Sequence, residues 1–270
     1  MDLGLEGRSC VVTGASRGIG RETARLLCAE GASVLLVARS AAPLDEAAEE
    51  CERAGATTQG RAAAFAVDVT DPDAGERMLT EATDRFDRLD VLVNNAGGAK
   101  RGDLEHVPDA DWQAAWDLNV MAPLRAMRAA VPGMADRGWG RIVNVSSSSG
   151  KRPSPQMPDY SVAKAAELSL SRMFGDRYAQ SGVLVNAICP GPTRSELWTE
   201  TGGLAEQERE RSGASSSEEV LEAVGTGRPI GRFAQVAEIA GAIVFLCSER
   251  ASYVAGAAWS VDGGSVQVII

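Results

Sequence analysis

The sequence predicts an α/β fold in which one doubly wound sheet of about seven parallel strands is flanked by helices on both faces. Short apolar runs rich in Val and Ile alternate with longer amphipathic stretches, which is the pattern of repeated βαβ units. The apolar runs contain few polar positions, so both faces of each strand are expected to be buried. No composition shift or internal repeat marks a second unit, and residues 1–270 are predicted to form a single domain.

Seven runs have the length and composition of strands. They are residues 9–13, 33–37, 63–67, 91–94, 141–145, 183–188 and 258–261. Helical periodicity between these runs predicts six long helices. They are residues 18–30, 42–54, 73–86, 109–136, 160–181 and 235–248.

Residues 192–228 interrupt this alternation. The segment is polar, with dense charge at 206–211 and a serine-rich run before a helix-like stretch at 218–224. Connections in compact domains are far shorter, so the segment is either a functional lid or a disordered linker. A lid is favoured, because both flanks belong to the same predicted sheet and Trp198 and Leu204 could close over a ligand.

The composition restricts the partners and the compartment. A formal net charge of −10 argues against nucleic acid or an anionic membrane surface as a partner. No apolar run reaches about 18 residues and no signal peptide pattern opens the chain, so a cytoplasmic location is predicted. The five cysteines are widely spaced without a CxxC pair and are expected to be core thiols. No cluster has metal-ligand spacing, so the site is expected to contain no metal.

A glycine-rich turn, TGASRGIG at residues 13–20, follows the first predicted strand. Glycine permits a sharp turn and close approach of the backbone to a pyrophosphate, and the following helix N-terminus offers free N–H groups. The candidate phosphate-binding residues are Gly14, Ser16, Arg17, Gly18, Ile19 and Gly20. The alternative is that the last two glycines only let a helix pack closely on a strand.

The end of the second strand bears on the choice of dinucleotide. An acidic residue there would accept hydrogen bonds from the ribose hydroxyls of NAD, whereas this chain has Arg39. An arginine favours NADP, and Arg17 could place a second cation on the 2′-phosphate. The alternative is that both are solvated surface arginines.

Ser147, Tyr160 and Lys164 form the candidate catalytic group. Hydride addition to a carbonyl places negative charge on its oxygen, so the site needs a hydrogen-bond donor and a proton source. Ser147 suits the first role and Tyr160 the second. Residues four apart share a helix face, so the Lys164 ammonium can reach Tyr160 and stabilise its phenolate. Only its spacing to Tyr160 distinguishes Ser147 from the neighbouring serines.

With residues 94–97 (NNAG) after the fourth strand and Pro190-Gly191, these motifs resemble the classical short-chain dehydrogenases/reductases over about residues 7–264. The resemblance implies a Rossmann-type fold and nicotinamide-dependent interconversion of a carbonyl and a secondary alcohol. With Arg39 at the end of the second strand, NADP(H) is favoured over NAD(H) as the cofactor. It also implies that Asn119 holds a water molecule for a proton relay. The alternative for Asn119 is a buried amide that satisfies helix carbonyls.

The same resemblance assigns the remaining cofactor contacts. Asp68 and Val69 should lie beside the adenine, and Tyr160 and Lys164 should also touch the cofactor. The groove and the nicotinamide end should be formed by Asn95, Ala96, Gly97, Pro190, Gly191, Thr193 and Ser195, the last in place of the usual threonine.

The substrate stays open between a 3-oxoacyl thioester and a larger free ketone or alcohol. The acidic surface offers an acyl carrier protein little attraction, although Arg137, Arg141 and Arg177 could form a local patch. The single histidine, His106, is interpreted as a surface residue. A non-catalytic NADP(H) sensor or scaffold on the same fold is the alternative function.

The resemblance implies a homotetramer or homodimer. The surfaces expected to be buried are residues 109–136, 160–181 and 266–270.

Overall fold

The computed structural model describes residues 2–267, which contain one seven-stranded sheet. The strands are β1 (Ser9–Thr13), β2 (Ser33–Ala38), β3 (Arg61–Ala66), β4 (Val91–Asn94), β5 (Gly140–Val145), β6 (Val183–Pro190) and β7 (Ala258–Val261). Neighbouring strands are all parallel, in the order β3-β2-β1-β4-β5-β6-β7. The predicted fold class is confirmed, and each predicted strand lies within two residues of its observed ends.

Helices lie on both faces of the sheet. They are α1 (Gly18–Ala29), α2 (Ala41–Gly55), α3 (Ala74–Phe86), α4 (Asp109–Trp116), α5 (Ala122–Asp136), α6 (Ser148–Lys151), α7 (Pro158–Tyr178), α8 (Glu196–Thr199), α9 (Leu204–Ser212), α10 (Ser217–Thr226) and α11 (Val236–Cys247). No helix in residues 2–267 is long and apolar enough to cross a membrane.

Alternation along the strands divides the core into two apolar layers. Successive strand residues point to opposite faces of a sheet. Cys10 and Val12 of β1 lie in one layer with Ile239 of α11, whereas Val11 lies in the other with Met127 of α5. Both faces of the central strands are therefore buried, which explains their nearly uninterrupted apolar sequence.

The helix predicted over residues 109–136 is divided in the structure. One π-helical turn, Asp117–Met121, separates α4 from α5. A π turn accommodates an extra residue without breaking the helix, and the apolar periodicity on either side is too similar for the sequence to reveal it. The turn carries Asn119, so the irregularity occurs at a predicted site residue.

Residues 192–228 form three short helices, α8 to α10, where the sequence predicted helix only near 218–224. Apolar residues of the segment, Leu221 among them, form a small cluster with Phe233 beyond its end, and Trp198 packs edge-on against Phe233 with ring centroids 5.1 Å apart. The segment is therefore ordered by local packing and is not a structureless linker.

The five cysteines are buried free thiols, as predicted. Burial is the largest cause of the raised pKa of Cys189, about 11, and of Cys247, about 12. Thiols with such pKa values remain protonated at neutral pH and act as small apolar core groups.

Candidate active site

A large cavity opens at the carboxyl ends of β1 and β4, where the strand order reverses. Ligands of open parallel sheets bind at this edge, outside the point of reversal. The cavity has a volume of about 1350 Å³. Pockets for single small ligands are usually below roughly 1,000 Å³, so this one can hold a dinucleotide together with a small substrate.

The predicted site residues come together in the cavity wall, with two exceptions. These are Gly20 and Asn119, which are buried and do not line the cavity. His106, interpreted as a surface residue, is exposed and does not line it either. The lining residues that were predicted are Gly14, Ser16, Arg17, Gly18, Ile19, Arg39, Asp68, Val69, Asn95, Ala96, Gly97, Ser147, Tyr160, Lys164, Pro190, Gly191, Thr193 and Ser195.

Glycine is required for different structural reasons at different positions of the glycine-rich turn. Gly14 and Gly18 have φ angles of +66° and +57°, which side chains disfavour. Gly20 lacks space instead, since a Cβ there would lie 2.4 Å from both the Gly14 carbonyl oxygen and Asn95 Nδ2. The packing alternative therefore accounts for Gly20, whereas Gly14 and Gly18 shape the turn itself.

The N-terminus of α1 is open to an anion. Its N-cap, Arg17, provides no side-chain hydrogen bond to the first-turn amides, and the first turn contains no acidic residue. The unpaired N–H groups and the helix dipole favour a phosphate at this position. The Arg17 guanidinium forms an ion pair with Glu200 of segment 192–228.

The loop after β4 is fixed to the glycine turn by hydrogen bonds. Thr13 Oγ1 accepts from the backbone N–H groups of Asn95 and Ala96, both at 3.0 Å. The Asn95 side-chain amide donates to the Thr13 carbonyl at 2.9 Å and to the Gly14 carbonyl at 3.2 Å. These hydrogen bonds fix the position of the loop after β4 relative to the glycine-rich turn, and both segments line the cavity.

Asp68 and Arg39 lie at the end of the cavity that the sequence assigns to adenosine. The Thr70 backbone N–H and hydroxyl donate to Asp68 Oδ1 at 2.9 and 2.8 Å, and with Arg39 they lower the pKa of Asp68. Arg39 is exposed and has no carboxylate within 4 Å among the residues described. Its charge is therefore available to a ligand.

Ser147 is the N-cap of α6, two residues after the end of β5. Its Oγ accepts from the Ser149 backbone N–H at 3.0 Å, and its own O–H has no acceptor within residues 2–267. The adjacent Ser146 differs, because its hydroxyl donates to the Lys164 carbonyl at 3.0 Å. Ser147 thus has the free donor that the spacing to Tyr160 predicted.

Tyr160 lies in the first turn of α7, and Lys164 follows one turn later. Lys164 Nζ is 5.8 Å from the centre of the Tyr160 ring and donates to the Val145 carbonyl at 2.8 Å. The Lys164 ammonium is therefore near enough to the Tyr160 ring to act on a charge that develops there.

The sequence analysis did not identify Glu167, which is the counter-charge of Lys164. The carboxylate accepts from Lys164 Nζ at 2.9 Å, and the two side chains are 3% and 1% exposed. Burial is the largest single influence and disfavours the ammonium, but Glu167 and Tyr160 together outweigh it and the pKa of Lys164 is raised. Burial also raises the pKa of Glu167, although Lys164 opposes this. The i,i+3 spacing on a buried helix face was the available signal.

The side-chain amide of Asn119 has one atom with a partner and one without. Its Nδ2 donates to the Ala115 carbonyl at 2.9 Å, as a buried helix amide would. Its Oδ1 is buried without a partner in the described chain. A Cβ on Gly97 would lie 3.2 Å from this oxygen and 3.6 Å from Lys164 Nζ, so Gly97 separates Asn119 and Lys164 by little more than its own width.

Segment 192–228 reaches the cavity through Trp198 and Leu204, the two residues predicted to face a ligand. Arg101, in the loop after β4, attaches the segment to the body of the fold. Its guanidinium pairs with Glu208 at 3.0 Å, and its backbone N–H donates to the Gln207 side chain at 2.9 Å. Both charged side chains of this pair are largely buried.

A dinucleotide-sized crevice that joins a glycine turn to a Ser-Tyr-Lys group defines a nucleotide-dependent oxidoreductase. Residues 14–266 match the family model described as "Enoyl-(Acyl carrier protein) reductase". The chain belongs to the short-chain dehydrogenase/reductase family, as its motifs predicted.

Three relatives illustrate the similarity. The 3-oxoacyl-[acyl-carrier-protein] reductase FabG of Thermotoga maritima is 32% identical over 97% of this chain and 99% of the relative. The cis-4-hydroxycyclohexanecarboxylate dehydrogenase of Sinomonas cyclohexanicum is 37% identical over 97% of each chain. The crystal structure of L-sorbose reductase from Gluconobacter frateurii, complexed with NADPH and L-sorbose, has a TM-score of 0.91 and 36% identity over 100% of both chains.

Proposed function

We propose that this protein is an NADP(H)-dependent oxidoreductase that interconverts a carbonyl and a secondary alcohol. The observation that carries the proposal is that Ser147, Tyr160 and Lys164 line the same cavity as the glycine turn and Arg39. A bound nicotinamide supplies the hydride. The chain supplies the oxygen-binding donor, the proton and the charge that favours proton release.

In the reduction direction the Tyr160 hydroxyl transfers its proton to the carbonyl oxygen as negative charge develops there. The free Ser147 hydroxyl donates a hydrogen bond to the same oxygen. The Lys164 ammonium stabilises the resulting phenolate, and its ion pair with Glu167 moderates this effect. Asn119, with its unpartnered Oδ1 behind Gly97, is suited to accept a hydrogen bond from a relay water.

The preference for NADP(H) is expected to depend on Arg39. The Arg39→Gln variant should weaken NADPH binding by about 10- to 100-fold, since one charge-assisted hydrogen bond contributes about 1.5–3 kcal/mol. NADH binding should change by less than about threefold. Fluorescence titration of both cofactors measures this, with Arg128→Gln on α5 as the charge-matched control. Equal affinity of the wild type for NADPH and NADH would contradict the preference.

The relatives define the substrate only as an alcohol or a carbonyl compound. The three relatives are named for a 3-oxoacyl carrier-protein thioester, a hydroxycyclohexanecarboxylate and a keto sugar, which share only the alcohol or carbonyl group. The arginine patch considered for a carrier protein does not form as predicted. The Arg141 side chain is 4% exposed, donates to the Gly140 carbonyl and faces Glu249.

The proposed function is tested by NADPH and NADH oxidation, followed by absorbance, with a 3-oxoacyl thioester, a cyclic ketone, an oxo acid and a keto sugar. Turnover of at least one carbonyl with NADPH supports it. Tight NADPH binding without turnover of any carbonyl would favour the non-catalytic sensor.

We further propose a cytoplasmic homotetramer or homodimer with segment 192–228 as its lid. Five free thiols suit a reducing compartment. Trp116 on α4 and Val162 and Met173 on α7 expose large apolar surfaces on the helices predicted to assemble. Residues 266 and 267 of the predicted C-terminal contact are described, and 268–270 lie outside the described residues.

Sedimentation velocity is expected to give two or four times the 28.3 kDa chain mass. A Met173→Glu variant should shift the distribution to smaller species, because it places a charge on an apolar contact surface. A wild type that is monomeric at all concentrations would contradict the assembly.

A further inference from the structure

Two arginines in the cavity wall have no carboxylate partner in the described chain. Arg152 and Arg228 both line the cavity and form no ion pair within residues 2–267. The cavity arginines Arg17 and Arg101 differ, because Glu200 and Glu208 neutralise them. Arg152 and Arg228 thus join Arg39 as cavity arginines without an ion pair in the described chain, in a protein whose net charge is −10.

The two arginines come from different parts of the chain and converge on residues 263–266. Arg152 Nη1 donates to the Ser265 carbonyl at 3.3 Å. Pro229, next to Arg228, packs on Gly264 so closely that a Cβ there would lie 3.0 Å from Pro229 Cβ. Ser265 itself lines the cavity. The Arg152 guanidinium and the residue next to Arg228 therefore contact adjacent positions of this stretch of the chain.

Arg228 contains a donor that the protein leaves unused. Its Nε is fully buried and has no hydrogen-bond partner in the described residues. A buried N–H without an acceptor is costly, and a guanidinium offers parallel donors that match the two oxygens of a carboxylate. Because Arg228 lines the cavity and has no carboxylate partner in the described chain, an anionic group of a ligand in the cavity would supply the counter-charge for its guanidinium.

Arg152 lies close in sequence to the candidate catalytic residues Ser147 and Tyr160. Ser147 and Arg152 are the N-cap and the C-cap of the same four-residue helix, α6. Arg152 also lies in the connection between Ser147 and Tyr160. A small molecule can therefore place one end on Ser147 and Tyr160 and the other on the arginines.

We propose that the substrate is a small oxo acid or hydroxy acid whose carboxylate binds Arg228 and Arg152 while its carbonyl or hydroxyl lies against Ser147 and Tyr160. The inference rests on the proposed function and specifies its substrate class. In reduction, a hydride moves from NADPH to the carbonyl carbon and a proton moves from Tyr160 to the oxygen. The products are the hydroxy acid and NADP⁺, and solvent returns the proton to Tyr160.

The test compares each acid with its uncharged counterpart. The pairs are 4-oxocyclohexanecarboxylate with its methyl ester and 3-oxobutanoate with its methyl ester, with the N-acetylcysteamine thioester of 3-oxobutanoate and a keto sugar as further neutral substrates. We expect kcat/KM at least 10-fold higher for an acid than for its ester. Arg228→Gln should lower kcat/KM for the acid by about 10- to 100-fold and for the ester by less than about threefold.

Three further variants distinguish the effect of removing a positive charge from the cavity from a general effect of substitution on folding. Arg152→Gln should reduce the preference for the acid, and Arg228→Lys should retain part of it because the charge remains. Arg53→Gln removes a charge from a side chain that is 69% exposed on α2, outside the cavity, and should change nothing. Equal or faster turnover of the ester, thioester or sugar would overturn the inference, as would equal losses for acid and ester in Arg228→Gln.

A binding experiment separates this inference from the proposed function. Calorimetry on the NADP⁺-loaded protein should detect cyclohexanecarboxylate and not cyclohexanecarboxamide, with binding of the acid weakened in Arg228→Gln. Binding of the acid without turnover of any carbonyl would refute the proposed function and leave the anion site supported. Absence of acid binding would overturn the anion site even if neutral ketones are reduced.

Discussion

Replacement of Tyr160 by phenylalanine is expected to lower kcat for carbonyl reduction by about 10²- to 10⁴-fold, the usual contribution of a positioned general acid. The ring remains in the first turn of α7, and only the hydroxyl that transfers the proton is removed. Tyr160 is partly exposed to the cavity, so the change creates no buried void. NADPH affinity should stay within about threefold of the wild type.

The matched control is Tyr178→Phe, on the same helix but outside the cavity wall. It should leave kcat unchanged, because no proton is transferred there. Turnover of Tyr160→Phe at the wild-type rate would exclude Tyr160 as the proton donor. A parallel loss of NADPH affinity would assign its effect to cofactor binding.

Replacement of Glu167 by glutamine is expected to lower the free energy of unfolding by about 3–5 kcal/mol, because it leaves the buried Lys164 ammonium without a counter-charge. Urea or guanidinium unfolding measures the loss, provided that the transition is reversible. Asp176→Asn is the matched control. It breaks the exposed Arg172–Asp176 pair and should change the free energy by no more than about 1 kcal/mol.

The double variant Lys164→Met, Glu167→Leu separates the two roles of the pair. It removes both buried charges, so its stability should exceed that of Glu167→Gln while its turnover is lost with Lys164. Because the Lys164 pKa is raised, the contribution of its ammonium is complete at neutral pH and is lost only as the pH rises through that pKa, whereas the raised pKa of Glu167 lowers stability as the pH rises through it. A Glu167→Gln variant as stable as the wild type would show that the pair contributes nothing.

The sheet and the main helices could be predicted because their signals are local. Each strand is a short run of apolar residues, and a parallel sheet buried on both faces makes such runs nearly continuous. The sequence also predicts where α1 begins and where β2 ends. Arg17 and Arg39, which lie at these two points, could therefore be placed at one edge of the sheet. The same reasoning placed Tyr160 and Lys164 on one helix face.

The remaining features depend on contacts that the sequence does not display. The π turn at Asn119 differs from a regular helix by one inserted residue, and segment 192–228 is ordered by its packing of Trp198 on Phe233. Glu167 could have been noticed from its spacing to Lys164, but its burial could not. That Arg228 lines the cavity without an ion pair can be recognised only from the structure, because the sequence does not show which arginines are paired with carboxylates.

The central claim is that this chain transfers a hydride from a nicotinamide to a carbonyl carbon, with Tyr160 as the proton donor. The most direct measurement uses NADPH deuterated at C4, as each diastereomer in turn, with mass spectrometry of the alcohol product. We expect one deuterium on the carbinol carbon from one diastereomer only, and no product from Tyr160→Phe on the same time scale. Alcohol without deuterium from both diastereomers, or labelled alcohol formed by Tyr160→Phe at the wild-type rate, would contradict the account.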